Sequence, residues 1–147
     1  MNNPVSSLAV AIFSELIAAD QLARDRLGKV LPKGMEISHF SVLNHLARTH
    51  EEKTPAQLAS TFHVTRGAMS NTLNKLETAG YIHIRPDWDD TRRKLVAISP
   101  AGRNARDAAF AAIGPMIESV VSDVGVEKVR SVLPVLRELR VRLEGGG

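Results

Sequence analysis

The residues of this chain best equipped for chemistry fall in two short runs. Thr65, Arg66, Gly67, Ser70, Asn71, Asn74 and Lys75 form the first, and Arg92, Arg93 and Lys94, with Asp87, Asp89 and Asp90 close before them, form the second. Neither run holds a nucleophile paired with a base, a phosphate-binding glycine loop or a His-Glu metal motif, so catalysis has no residues to name. Both runs are well supplied with groups that pair with bases and phosphates. Asparagine can bond an adenine edge through two contacts, and arginine can bond guanine. Hydroxyls and lysine suit phosphates, which fix position without reading sequence.

The first run belongs on a helix. Met69, Leu73 and Leu76 recur three and four residues apart and form an inward face, leaving Gly67, Asn71 and Asn74 outward with Ser70 and Lys75 beside them. An outer face of small and amide side chains can enter a major groove without clashing. Before it, Thr54-Pro55-Ala56-Gln57 is a capped helix start, and Leu58, Ala59 and Phe62 supply its buried side. A turn at His63-Val64-Thr65 joins the two helices. The second run belongs on a hairpin tip. Ile82 and Ile84 alternate with His83 and Arg85, and Val96 and Ile98 alternate with Leu95 and Ala97. An arginine at such a tip suits the narrow minor groove, where negative potential concentrates. Asp90 is expected to pair with Arg92 and fix its direction. Trp88, the one tryptophan, is placed under the tip and given no role.

Long apolar stripes flank this device. The N-terminal stripe runs through Leu8, Ile12, Leu16, Ala19, Ala23 and Leu27, and is expected to break at Gly28, Pro32 and Gly34. A helix over about Glu36 to Thr49 follows, with Phe40, Leu43, Leu46 and Ala47 inward. Ser99-Pro100 opens another helix that runs to Val124, with a kink or break expected at Gly114-Pro115. A last helix from Val126 to about Leu143 is expected to bend at Pro134. The expected fold is therefore mainly α with a small β-hairpin wing. Residues 35–99 form a winged helix-turn-helix, residues 1–34 and 100–147 form dimerisation helices, and 145–147 form a flexible glycine tail. Terminal helices with unspent apolar faces point to a homodimer.

Composition narrows the classes further. The 147 residues carry no cysteine, which excludes disulfides, thiolate metal sites and thiol redox switching. The net charge is +3, and residues 54–99 hold six basic against four acidic side chains. So small an excess implies a few placed cations, not a broad positive field. No secretory signal and no apolar run approaching a membrane span is read, which makes the cytoplasm the default and a membrane partner unexpected.

The run Asp87-x-x-Asp90-x-Arg92-x-x-x-Val96-x-Ile98-Ser99-x-x-Gly102 resembles the wing signature of the multiple antibiotic resistance regulator (MarR) family. So do Leu58-Ala59, Val64-Thr65 and Leu76-Glu77-x-x-Gly80-Tyr81-Ile82-x-x-Arg85, and Met35 to Leu43 resembles the start of the family's second helix. The chain departs from the pattern at Trp88, where proline is common, and at Thr91, where arginine is common. The resemblance implies a homodimeric transcriptional regulator whose recognition helices enter successive major grooves of a palindrome and whose wings touch flanking minor grooves. It makes Arg92 the wing arginine and Asp90 its support. It also implies release from DNA by a small, often phenolic, organic acid bound between the two lobes, for which Arg24, His39, Phe40 and His45 are the candidates by position. Zinc sensing through Glu36, His39, His45 and His50 is not expected, because the helix from Pro100 to Val124 has no histidine to complete a site. No cofactor or metal is expected. The competing reading is a winged-helix protein-interaction module without specific DNA binding.

Overall fold

The computed structural model describes residues 3–145. In chain order the elements are α1 (Pro4–Val30), α2 (Ile37–Thr49), α3 (Pro55–Thr61), α4 (Arg66–Thr78), β1 (Ile82–Pro86), β2 (Lys94–Ile98), α5 (Pro100–Val124) and α6 (Val126–Gly145). The chain divides into two units, one up to Phe110 and one from Ala111 onward.

The core of the first unit lies where α2, α3 and α4 meet the hairpin. Val42, Leu43 and Leu46 of α2 meet Leu58 and Ala59 of α3, Met69, Leu73 and Leu76 of α4, Ile82 of β1 and Val96 of β2. All ten are buried, so each helix spends one stripe on a shared centre. The inward face anticipated for α4 is the buried one, while Phe40 of α2 is only half-buried and Val42 takes the inward place beside Leu43.

Local chemistry sets the helix limits. At α3 the expected capping box is present: Thr54 Oγ1 accepts the Gln57 N–H at 3.1 Å, and Gln57 Oε1 accepts the Thr54 N–H at 2.9 Å. Two helices, α1 and α5, run further than the sequence reading expected, and α6 contains its proline as that reading had it. α1 passes through Gly28 and stops only at Leu31, which adopts φ −64° and ψ 150°. A solvent-facing glycine weakens a helix without ending it, whereas a following proline pushes its predecessor out of the α region, and Pro32 does so here. α5 continues through Gly114-Pro115 without a break, and α6 continues through Pro134. Gly145 closes α6, and the remaining two residues of the expected tail lie outside the described ones.

The hairpin is antiparallel, with Ile82 opposite Ile98, Ile84 opposite Val96 and Pro86 opposite Lys94. Lys53 extends it by an isolated bridge to Val96, donating at 3.1 Å and accepting at 2.7 Å. The hairpin is fastened to α5 through Ser99. Its hydroxyl donates to the Gly80 carbonyl at 2.6 Å and accepts the Gly102 N–H at 3.0 Å, while its own N–H reaches the Tyr81 carbonyl at 3.0 Å. A Cβ on Gly102 would overlap that Tyr81 carbonyl, which explains glycine three residues after Ser99.

α1 has no buried residue, and Val5, Leu8, Ile17 and Leu22 are each more than three-fifths exposed. The expectation that no segment approaches a membrane span is corrected here. α1 is long and apolar enough to cross a membrane by length and composition, because its alanines and branched residues outweigh the serines and acids that interrupt the run. α6, in the second unit, likewise has no buried residue and exposes Val135, Val141 and Leu143.

Candidate nucleic-acid interface

α3 and α4 are joined by a tight turn in which His63 has φ 55° and the Val64 N–H returns to the Ala59 carbonyl at 3.0 Å. Thr65 caps α4, its Oγ1 accepting the Ala68 N–H at 3.0 Å. That leaves the hydroxyl hydrogen to donate outward, so capping and phosphate contact are compatible. Arg66 and Gly67 occupy the first turn, where the positive end of the helix dipole favours a phosphate. Thr65, Arg66, Gly67, Ser70, Asn71, Asn74 and Lys75 are all exposed. A Cβ on Gly67 would meet nothing nearer than Thr65 Oγ1, at 4.0 Å. The fold itself therefore has no need of glycine there, and the space it leaves is on the outer face.

α4 is not uniform along its length. Asn74 and Lys75, in its second half, line a cleft of about 610 Å³ together with Met35, His39, Tyr81 and Ala105. Ser70 and Asn74 also face the wing across a groove of about 410 Å³ whose far wall includes Arg85, Pro86 and Lys94.

At the tip, two aspartates hold two arginines. Asp90 accepts Arg92 Nε at 3.0 Å and Nη2 at 3.3 Å, and its Oδ1 also takes the Arg92 N–H at 3.2 Å. The Arg92 side chain is nevertheless 88% exposed. Asp87, which the sequence reading left without a partner, is buried and does more of the folding. Its Oδ2 accepts Arg93 Nη2 at 2.7 Å and Nε at 3.2 Å, and its Oδ1 accepts the Asp89 N–H at 2.9 Å. The Asp87 N–H donates to the Arg93 carbonyl at 3.1 Å, closing the loop. The bond from Arg93 holds the Asp87 carboxyl below its ordinary range, and the bond from Arg92 does the same for Asp90. Both acids therefore stay charged, and their charge is spent on arginine. The three cations of this run divide accordingly: Arg93 is tied inward, Arg92 is aimed outward, and Lys94 is exposed opposite Pro86.

Trp88 is a correction. It does not pack under the tip but is 74% exposed, with the Arg85 guanidinium carbon 5.7 Å from its ring centre. Asp87, one residue earlier, is the buried member of the tip. Arg85 is itself held by Glu52, Nε at 2.9 Å and Nη2 at 2.7 Å, and this bond raises its pKa.

The four crevice candidates are not brought together. His39 lines the 610 Å³ cleft, but its Nδ1 accepts the Glu36 N–H at 3.0 Å and so caps α2. Burial lowers its pKa, with Lys75 adding to the effect against Glu36. His45 stands edge-on to Phe62 at 5.6 Å, its pKa also lowered by burial. Arg24 lies on α1, paired with Asp20 at 3.1 Å, and Phe40 does not line the cleft. Sequence reasoning missed Met35, Lys75 and Tyr81 as cleft residues; their distances along the chain gave no common periodicity to find them by.

A capped helix pair with an open, small-residue outer face and a hairpin tip that aims one arginine outward define a winged helix-turn-helix, an architecture suited to duplex DNA. Residues 33–93 match the MarR family. Over 134 residues, 80% of this chain and 88% of the relative, the sequence is 26% identical to the uncharacterised HTH-type transcriptional regulator YdgG of Bacillus subtilis. It is 30% identical to an uncharacterised HTH-type regulator of Bacillus anthracis over 65% of this chain and 63% of that one. The fold matches the transcriptional regulator BldR of Sulfolobus solfataricus with a TM-score of 0.85 at 22% identity, covering 95% of this chain and 99% of that one. It also matches a mutant of MarR from Escherichia coli solved with operator DNA, at a TM-score of 0.77 and 22% identity, over 89% of this chain and 95% of that one. The matched segment, residues 33–93, contains α2, α3, α4 and most of the wing, so the part of the chain that resembles the MarR family is its winged helix-turn-helix.

Proposed function

We propose that the protein is a homodimeric repressor that binds a palindromic operator in the cytoplasm and is released by a small organic acid. The observation that carries the DNA reading is the pairing of the open α4 face with an Arg92 that is highly exposed yet held by two bonds to Asp90. Holding the side chain in advance lowers the entropy cost of placing it in a groove. Thr65, Arg66, Gly67, Ser70 and Asn71 act in the major groove, with Asn74 and Lys75 toward its rim, and Arg92, Arg93 and Lys94 act at the flanking minor groove. The dimer is supported by α1 and α6, whose apolar side chains find no cover within one chain. Residues 1–34 and 100–147 then form the dimerisation lobe and 35–99 the DNA-binding lobe.

The effector site is the cleft beside α4. Met35, Tyr81 and Ala105 give it an apolar lining, and Lys75 supplies a cation for a carboxylate or phenolate. Because α4 is one of its walls, an occupant acts directly on the recognition helix.

The test is to sequence the DNA fragments retained by the purified protein from a random duplex pool. A palindrome with half-sites one helical turn apart is expected. Recovery of no consensus would refute operator recognition and favour a protein-interaction role.

A further inference from the structure

Trp88 is the one tryptophan of the chain, and it is kept in solvent by the structure around it. On its N-terminal side Asp87 is buried, and the Asp87 carboxylate takes the Asp89 N–H at 2.9 Å, so the backbone on both sides of Trp88 is pinned. The indole is supported by the Arg85 guanidinium 5.7 Å away. That guanidinium is fixed in turn by two bonds to Glu52 and one, at 2.9 Å, to the Pro86 carbonyl. The closing of the tip does not use the ring: the Asp87–Arg93 and Asp90–Arg92 pairs close it.

An indole left mostly in water, on a fixed base, is a contact surface awaiting a partner. Its neighbours say which. Arg92 and Lys94 are exposed cations of the same tip, Asp87 and Asp90 have their charge taken up by arginines, and Asp89 is the one exposed acid next to Trp88. A flat apolar ring over one guanidinium, on a tip that also carries Arg92 and Lys94, complements the sugar-phosphate edge of a duplex, where deoxyribose carbons line the groove and phosphates flank it. Proteins that use the minor groove commonly set apolar side chains beside their arginines.

We infer that Trp88 is a DNA contact whose indole packs on the deoxyribose wall of the minor groove that Arg92 enters. The inference rests on the wing reading proposed above and extends the wing from a charge contact to a shape contact. It assigns Trp88 a positioning role, setting how deeply the tip sits.

Because there is one tryptophan, its fluorescence reports on this residue alone. The full-length protein is titrated with the duplex recovered by selection, binding being followed separately by anisotropy of a labelled copy of that duplex. The tryptophan emission should change in step with the anisotropy, and acrylamide quenching should fall. Trp88→Ala should weaken binding about fivefold or more, with Trp88→Phe keeping most of the affinity, as for a lost aromatic contact. The slope of log affinity on log salt should stay as in wild type for both, since no phosphate contact is removed. The melting temperature should be unchanged, which a mere prop for Arg85 would not leave so. Binding by anisotropy without change in tryptophan emission or quenching, or wild-type affinity in Trp88→Ala, overturns the inference and leaves the wing reading standing. No binding of any duplex overturns both.

Discussion

At the scale of single residues, the outer face of α4 separates what the fold needs from what DNA needs. Gly67 is the sharpest case, because the protein leaves open space where its side chain would be. Gly67→Ala should raise stability by about 0.5–1 kcal/mol, the usual gain when a helical glycine is replaced by alanine. The same change should weaken duplex binding, because the backbone can no longer approach the groove. Denaturant unfolding and a mobility-shift titration on one preparation measure the two effects, and loss of both stability and binding would mean that glycine serves the fold. Asn71→Ala should leave the fold intact and relax base preference at one position per half-site, a cost of about 1–3 kcal/mol for a lost bidentate pair. An unaltered consensus from selection would show that Asn71 reads no base. The sequence disclosed the outward residues of α4 because a 3.6-residue period is visible in a string of letters. It did not disclose Asp87 as the buried partner of Arg93, because a seven-residue loop gives no period and three aspartates near three cations permit several pairings. Trp88 failed for the same reason: an aromatic residue in a loop is buried or exposed according to how the loop closes, and here the buried residue is Asp87.

Among the elements, the joint between wing and α5 transmits position from the core to the tip. Ser99 and Gly102 draw the start of α5 onto the Gly80-Tyr81 backbone, and Ala105 packs against the core one turn later. Gly102→Ala forces a methyl onto the Tyr81 carbonyl and should cost about 1–3 kcal/mol, as overpacking does; calorimetry showing an unchanged melting temperature would contradict this close approach. The serine-glycine spacing was present in the sequence as part of a family pattern, but its cause is a backbone approach that only three dimensions show. The entry to α2 carries a pH dependence. His39 is half of that helix's cap through a neutral Nδ1 that accepts a hydrogen bond, and burial lowers its pKa below the ordinary 6.5. His45 is lowered too. The unfolded chain therefore binds more protons than the folded one below neutrality, so these groups contribute stability that is full above pH 6.5 and is lost as pH falls through their lower folded values. Unfolding free energy measured from pH 7 to pH 5 should decline, and His39→Gln, whose amide oxygen can still accept the Glu36 N–H, should flatten the decline. An equal slope in wild type and variant would remove His39 from the account. Helix limits were less legible than helix identities. Gly28 and Gly114-Pro115 looked like stops, yet the remaining backbone bonds carry helices through residues that isolated propensity disfavours.

For the whole molecule, the unresolved energy lies on α1 and α6. Left uncovered in water, the apolar stripe of a 27-residue helix would drive aggregation, and a second copy is the simplest cover. The melting temperature should rise with protein concentration, as it must when only the assembled form is folded or stable. Ile17→Glu, placed on a side chain 70% exposed in the single chain, should shift sedimentation toward monomer without unfolding the winged helix. A wild-type monomer at micromolar concentration would contradict the dimer and return attention to the length and composition that α1 shares with membrane spans. The sequence showed these helices as apolar stripes in search of a partner, and the single chain leaves them so. The cleft beside α4 was the least legible feature, since Met35, Lys75, Tyr81 and Ala105 come from four separate stretches of chain.

The central claim is that a few aimed groups, Arg92 foremost, bind duplex DNA. The direct measurement is the affinity of wild type and Arg92→Ala for the selected duplex at a series of salt concentrations. Wild type should lose affinity steeply with salt. Arg92→Ala should bind more weakly at each concentration, with a slope shallower by about one, as expected when one cation no longer displaces a counterion. Identical affinity and slope in the two proteins would contradict the account of the wing.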